Sequence, residues 1–224
     1  MTRSVLLDTE TTGLDPALGH RVIEIAAIEL SNELPTGEFF HRLLDPGRPV
    51  PAEATAIHGF GDADLAGQPR FAEVAPELLA FLGEDPIIAH NAPFDFAFLD
   101  AELLRSGLSP LDRGRMVDTL ALAKSLFPGL PNTLDALCRR FAIDLAERST
   151  HNALLDCRLL AAVYVELTGG RQRGLVLEPA SSAPLMSAVA YGDRTPRRIV
   201  PSEADQARHA AFTARLKAPL WRKD

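Results

Sequence analysis

The 224-residue chain has few cysteines, no long apolar run and little positive charge over most of its length. Its two cysteines, Cys138 and Cys157, form neither a disulfide framework nor a metal-spaced pair, so we expect buried, reduced thiols. The first apolar segment ends at Asp8, and no run approaches the ~18 residues of a membrane span. These absences predict no signal peptide, no membrane contact and a cytoplasmic location.

Positive charge is scarce in the main part of the chain. Residues 1–170 contain 13 Lys and Arg against 25 Asp and Glu, whereas residues 171–224 contain 10 against 5. An acidic body binds nucleic acid poorly, because affinity for phosphates needs clustered cations. We expect any polyanionic substrate to be held by metal ions or delivered by a partner.

The chain is 46% hydrophobic, which is ample for a core. Apolar patterns predict strands at about residues 4–10, 21–30, 38–44 and 87–89, and helices at about 71–82, 93–107, 119–127, 134–141 and 152–167. This order predicts an α/β fold with a mixed central sheet flanked by helices. We expect one domain over residues 1–170, a flexible linker over 171–201, and a helix and tail over 202–224 that begin at Ser202.

Acidic residues interrupt three of these apolar segments. Asp8 and Glu10 lie two apart on the first strand and so leave the same face, Asp95 begins a middle helix, and His151 and Asp156 begin the last helix of the domain. Each alone has an ordinary explanation as a strand end, a helix-terminal acid or a structural histidine. Together they can converge at one end of a sheet, where cations must compensate them. The joint pattern predicts a two-metal phosphodiester hydrolase.

These motifs resemble those of the DEDD superfamily of 3′–5′ exonucleases. A sister group has tyrosine four residues before the last aspartate; here that position is Asn152 and His151 stands five before, which indicates the histidine branch. The chain is similar above all to the proofreading subunits of bacterial replicative DNA polymerases, over residues 22–27, 57–59, 132–138, 161–170, 197–200, 214–216 and 220–222. The resemblance implies a ribonuclease H-like fold and removal of mispaired nucleotides from a single-stranded or frayed DNA 3′ end.

The resemblance also implies roles for the motif residues. Asp8, Glu10 and Asp156 would hold one divalent cation, Mg²⁺ or Mn²⁺. A second cation, ~3.5–4 Å from the first, would be held mainly by Asp8. Asp95 would be a ligand through water. His151 is suited to take the proton of the attacking water, because its unperturbed pKa of about 6.5 lies near working pH.

Six further residues would grip the terminal nucleotide by the same resemblance: Thr11, Leu14, Ile57, His58, Asn91 and Phe94. A frayed end is easier to unstack than a paired one, so selectivity for mismatches would come from fraying. The same pattern also serves exoribonucleases that trim RNA, and a catalytically inactive scaffold for a polymerase is a third alternative.

The C-terminal region would supply contacts with partners. Gln172 is followed by apolar residues at the fourth and sixth positions of the segment, Leu175 and Leu177. This pattern resembles a sliding-clamp-binding segment, and the alternative is an ordinary linker. Three large apolar residues would anchor the polymerase catalytic subunit: Phe212, Leu216 and Trp221. The alternative is that the helix is a structural arm folded back on the domain.

Overall fold

The computed structural model describes residues 2–146, 150–169 and 200–215. The chain divides into two compact units, residues 1–174 and 175–224. Each unit is described by itself. Within the described ranges, no helix has the length and apolar character needed to cross a membrane.

A five-stranded mixed sheet forms the centre of the first unit. Its strands are β1 (Arg3–Thr11), β2 (Val22–Ser31), β3 (Leu34–Leu43), β4 (Ile87–Ala89) and β5 (Met116–Asp118), in the order β3-β2-β1-β4-β5. β1 is antiparallel to β2, which is antiparallel to β3, whereas β4 is parallel to both β1 and β5. β1 is therefore the middle strand, with a neighbour on each side.

Helices cover both faces of the sheet. They are α1 (Ala52–His58), α2 (Asp62–Leu65), α3 (Phe71–Leu82), α4 (Ala92–Arg105), α5 (Thr119–Leu126), α6 (Leu134–Arg140) and α7 (Ala153–Leu167). Val5 and Leu7 of β1 pack with α3 and α4, whereas Leu6 packs with α6 and α7. This alternation follows from the period of two of a strand, and it decides which layer each functional side chain of β1 faces.

The second unit contains one helix in its described part, α8 (Glu203–Ala214). The Ser202 hydroxyl accepts a hydrogen bond from the backbone N–H of Asp205 at 3.2 Å, so Ser202 caps this helix as its sequence indicates. Phe212 of α8 is 61% exposed.

The predicted α/β architecture is confirmed, with differences in the shorter elements. β3 begins at Leu34, not at residue 38, because a tight turn at Asn32 and Glu33, both with positive φ, starts the hairpin earlier. α1, α2 and β5 were not predicted. They have seven, four and three residues, too few for a periodic apolar pattern to show.

Candidate active site

The end of β1 carries two of the predicted acids on one face. Asp8 and Glu10 share that face with Leu6, so they point toward the layer of α5, α6 and α7. Burial raises the pKa of Asp8 well above its usual value, and the nearby carboxylates of Asp95, Glu10 and Asp156 raise it further. Carboxylates crowded in this way repel one another unless a cation lies among them.

The N-terminus of α7 brings the third motif to these acids. The side chain of Asn152 accepts a hydrogen bond from the backbone N–H of Leu155 at 3.0 Å, which starts the helix there. Asp156 is thus in the first turn and only 3% exposed. Polar atoms of Glu10, His151 and Asp156 lie within 4.8 Å of one another. The sheet and α7 therefore form one cluster of ligating groups.

His151 lies just before α7, and its backbone and its side chain have different contacts. Its backbone N–H donates to the carbonyl of Ile57, the penultimate residue of α1, at 3.1 Å. Its imidazole is half exposed, with Nδ1 3.5 Å from Oδ2 of Asp156. The ring can therefore meet both the acidic cluster and solvent.

Asp95 approaches the same acids from the opposite layer. It lies in the first turn of α4, is 3% exposed, and accepts a hydrogen bond from the Thr9 hydroxyl at 2.8 Å. Its burial raises its pKa to about 7. The helix begins at Asn91, which has the left-handed conformation (φ 69°) that asparagine tolerates better than most residues, and whose N–H donates to Asp118. One carboxylate oxygen of Asp95 is thus committed to Thr9.

The donor set fits a divalent cation. Carboxylate oxygens of Glu10 and Asp156 and a ring nitrogen of His151 lie within 4.8 Å of one another, and a third carboxylate, that of Asp8, lies beside them with its pKa raised by burial and by the other acids. Carboxylate oxygens are the ligands that Mg²⁺ and Mn²⁺ prefer. A cation among these groups would favour the ionised form of Asp8. The site can hold metal by the chemistry of its own residues.

A cavity of about 460 Å³ opens beside Glu10, between the end of β1, α1 and the start of α4. Five of the six predicted nucleotide-contacting residues line it: Thr11, Leu14, Ile57, His58 and Phe94. Asn91 is not among its lining residues. The exposed side chains of Leu14 and Ile57 (83% and 51%) give this cavity apolar walls.

His58 gives the same cavity a buried polar atom. The side chain is 4% exposed, its Nδ1 accepts a hydrogen bond from the N–H of Phe60 at 3.1 Å, and burial lowers its pKa. The neutral ring therefore carries its proton on Nε2, which makes no hydrogen bond within the described part of the chain. A ligand with an acceptor atom would satisfy it.

A second cavity, of about 440 Å³, lies on the α7 side of the acids. It is lined by Asp8, His151 and Asp156 together with residues at the starts of α5 and α6: Leu120, Thr133, Leu134 and Asp135, and by His90. The acidic cluster thus stands between two cavities, one facing α1 and the other facing α5 and α6.

Several residues of this region were not predicted from the sequence. Leu18, His20, Pro51 and Glu53 line the first cavity, and Thr9 binds Asp95. Glu24, fully buried on β2, binds the start of α7. A glutamate inside the apolar run 22–30 is a signal that could have identified it, because a charge in such a place needs partners.

The predicted partner-binding residues lie mostly beyond the part of the chain that the structure describes. Gln172, Leu175, Leu177, Leu216 and Trp221 fall outside the described residues. Phe212 is described, and it is exposed on α8.

A mixed sheet flanked by helices, with acidic side chains that meet at the end of its middle strand, is typical of a class of metal-dependent nucleases. Comparison with known proteins agrees. A family model described as "Exonuclease" matches residues 5–164. The chain is 41% identical to "DNA polymerase III subunit epsilon" of Rickettsia conorii over 223 residues, 96% of each chain. It is 43% identical to the protein of the same name from Escherichia coli over 178 residues, 76% of this chain and 73% of that one.

Two solved exonuclease structures have the same fold. Exonuclease X, in complex with 5′ overhanging duplex DNA, has a TM-score of 0.59 at 28% identity and is matched over 75% of this chain and 92% of its own. The zinc-bound complex of Escherichia coli exonuclease I with single-stranded DNA has a TM-score of 0.66 at 21% identity, over 77% of this chain and 41% of that one, which shows a shared fold. The chain belongs to the exonuclease family and, within it, to the family of DNA polymerase III epsilon subunits.

Proposed function

We propose that this protein is a metal-dependent 3′–5′ exodeoxyribonuclease that removes mispaired 3′-terminal nucleotides as the proofreading subunit of a replicative DNA polymerase. The observation that carries the proposal is the meeting of Glu10, His151 and Asp156 within 4.8 Å, beside a cavity in the size range of small-molecule sites. Membership of the epsilon family supports the same activity.

The acids would hold two divalent cations, Mg²⁺ or Mn²⁺. Glu10 and Asp156 of the cluster, together with Asp8 beside them, are the direct ligands in this proposal. Asp95, already bound to Thr9, contributes through water. Bound cations of this kind lower the pKa of an attacking water and stabilise charge on the leaving 3′ oxygen.

His151 would accept the proton of the attacking water. Its imidazole is half exposed, so it can pass the proton on to solvent, and Nδ1 lies 3.5 Å from Asp156, so it stands next to the acids that hold the water. The hydrogen bond from its backbone N–H to the carbonyl of Ile57 fixes the backbone position from which the imidazole extends.

The cavity beside α1 would take the terminal nucleotide. Its apolar walls at Leu14, Ile57 and Phe94 suit a base, and the Nε2–H of His58 suits an acceptor atom of the sugar or base. Asn91, which lies outside the cavity lining, would act by starting α4 so that Phe94 and Asp95 are placed. A terminal nucleotide that is already unpaired reaches this cavity at the lowest free energy, which favours mismatches.

The acidic charge of residues 1–170 supports delivery of DNA by a partner. We propose that residues 1–170 form the nuclease domain, residues 171–201 a flexible linker, and residues 202–224 the segment that binds the polymerase catalytic subunit, through Phe212, Leu216 and Trp221. The exposure of Phe212 on α8 supports this assignment. Such a subunit would work in the cytoplasm.

The linker would also bind the sliding clamp through Gln172, Leu175 and Leu177. In an extended peptide the two leucines point the same way and can enter one apolar pocket. Clamp binding by the double variant Gln172→Ala with Leu175→Ala should fall at least tenfold. Unchanged binding would leave this segment as an ordinary linker.

The activity can be tested with 3′-labelled matched DNA, mismatched DNA and RNA, each with Mg²⁺, with Mn²⁺ and with EDTA. We expect metal-dependent release of mononucleotides, fastest from the mismatched DNA. Preference for RNA would indicate an RNA-trimming enzyme, and no digestion with either metal would indicate a scaffold.

A further inference from the structure

Glu24 is a fully buried acid in the middle of the sheet, on the face that α7 covers. It lies on β2, and its register partner on β1 is Glu10. Directly paired residues of antiparallel strands point to the same side, so two carboxylates stand side by side next to the site. A buried carboxylate is costly unless hydrogen bonds compensate it, so the partners of Glu24 explain why it is there.

Three donors satisfy Glu24, and two of them belong to the start of α7. The side-chain amide of Asn152 donates to Oε1 at 2.9 Å, and the backbone N–H of Ala153 donates to Oε2 at 3.0 Å. The third donor is Nε2 of His41, from β3, at 2.7 Å from Oε1. Both carboxylate oxygens of Glu24 therefore accept a hydrogen bond from a residue at the start of α7.

These bonds fix the segment that carries two of the functional groups. Asn152 separates His151 from the helix, and Asp156 follows one turn later. His151 is thus held on one side by its bond to Ile57 and on the other by the bond between Asn152 and Glu24. The cluster of Glu10, His151 and Asp156 spans β1 and α7, so its geometry depends on this connection between sheet and helix.

We propose that Glu24 is a positioning residue for the hydrolysis: it holds the N-terminus of α7 against the sheet so that His151 and Asp156 meet Glu10. The inference rests on the proposed function, whose site it deepens. In this proposal Glu24 acts through its hydrogen bonds and not as a metal ligand. Its effect passes through Asn152 and Ala153.

The first test separates this connection from the helix cap. Asn152→Ser keeps a side-chain oxygen that can cap α7, but serine is too short to reach Glu24. Displacement of a catalytic group by about 1 Å can lower a rate about 10²-fold, so we expect kcat to fall by about 10- to 100-fold. KM for single-stranded DNA should stay within about threefold, because neither Glu24 nor Asn152 lines the cavity beside α1.

The second test replaces the acid itself. In Glu24→Gln one oxygen becomes an NH₂ group, which faces a donor whichever way the amide turns, so kcat should fall as in the first variant. Mn²⁺ affinity measured by calorimetry, without substrate, should also fall at least threefold, since Asp156 is displaced from Glu10.

A double variant provides the rescue. In Glu24→Gln with Asn152→Asp, the new amide can donate to the new carboxylate while its oxygen still accepts from the N–H of Ala153. We expect kcat to return to within about fivefold of the wild type. A gain of this kind requires the pair to act through their shared bond.

Glu102→Gln is the matched control. Glu102 is equally buried (1% exposed) and pairs with Arg21 at 2.6 Å, so its loss should lower stability. We expect its kcat and Mn²⁺ affinity to be unchanged at a temperature where circular dichroism shows every variant folded. Equal loss of kcat in this control, or wild-type kcat in both Asn152→Ser and Glu24→Gln, overturns the inference. An inactive wild-type protein instead overturns the proposed function.

Discussion

Asp95 offers a measurement of how much a buried charge destabilises the metal-free protein, because burial is the main cause of its raised pKa. It is buried, it lies near Asp8, and its pKa is about 7 instead of the ordinary 3.8. Asp95→Asn keeps the shape of the side chain and an oxygen that can accept the hydrogen bond of the Thr9 hydroxyl. The substitution therefore removes the charge and leaves the packing.

The sign and size of the effect follow from the pKa. Because the pKa is raised on folding, the carboxyl favours the folded state least when it is ionised, and stability from this group falls as the pH rises from about 4 to about 7. Each pKa unit corresponds to about 1.36 kcal/mol, so a shift of about three units corresponds to about 4 kcal/mol above pH 7. We expect metal-free Asp95→Asn to be more stable than the wild type by up to this amount at pH 8, and by little at pH 4.

Urea unfolding in EDTA between pH 4 and pH 8 would measure this difference. Comparing the two proteins at each pH cancels the other titrating groups, including His58 and His90, whose lowered pKa values act in the opposite direction. Asp100→Asn is the control on the same helix, since it loses an ion pair with Arg113 and should be destabilised. A gain below about 1 kcal/mol at pH 8 for Asp95→Asn would refute the reasoning.

Three further predictions concern the reaction and its partner. Asp8→Ala and Asp156→Asn should each reduce hydrolysis by more than about 10³-fold. Neither should lower the melting temperature of the metal-free protein, because each removes a carboxylate that repels its neighbours. More than a tenth of wild-type activity in both variants would contradict the ligand assignment. His151→Ala should lower kcat about 10²-fold or more with Mn²⁺ affinity nearly unchanged, whereas a collapse of affinity in calorimetry would make His151 a ligand. Deletion of residues 195–224 should abolish polymerase binding and leave digestion of single-stranded DNA intact; a destabilised, less active domain would instead identify α8 as a structural arm.

The sequence predicted the architecture and the acidic motifs because both are local signals. Asp8 and Glu10 stand two apart in an apolar strand, and the apolar pattern over residues 152–167 predicts the helix whose first turn carries Asp156. The pairing of Thr9 with Asp95, 86 residues apart, could not be predicted, because it depends on how α4 crosses the sheet. The role of Glu24 was hidden for the same reason, since its partners at the start of α7 lie 128 and 129 residues away in the chain.

The division of β1 between two layers also limits how this strand can change. Asp8 and Glu10 face α7 while Thr9 faces α4, and the register shift against β2 occurs only after Glu10. Because a strand repeats every two residues, inserting or deleting one residue between Arg3 and Asp8 would turn the acids toward α4 and Thr9 toward α7. The sheet could still form its backbone pairs. The length of this strand is therefore tied to the chemistry: side chains of β1 can be exchanged singly, but adding or losing one residue there would separate the acids from His151 and Asp156.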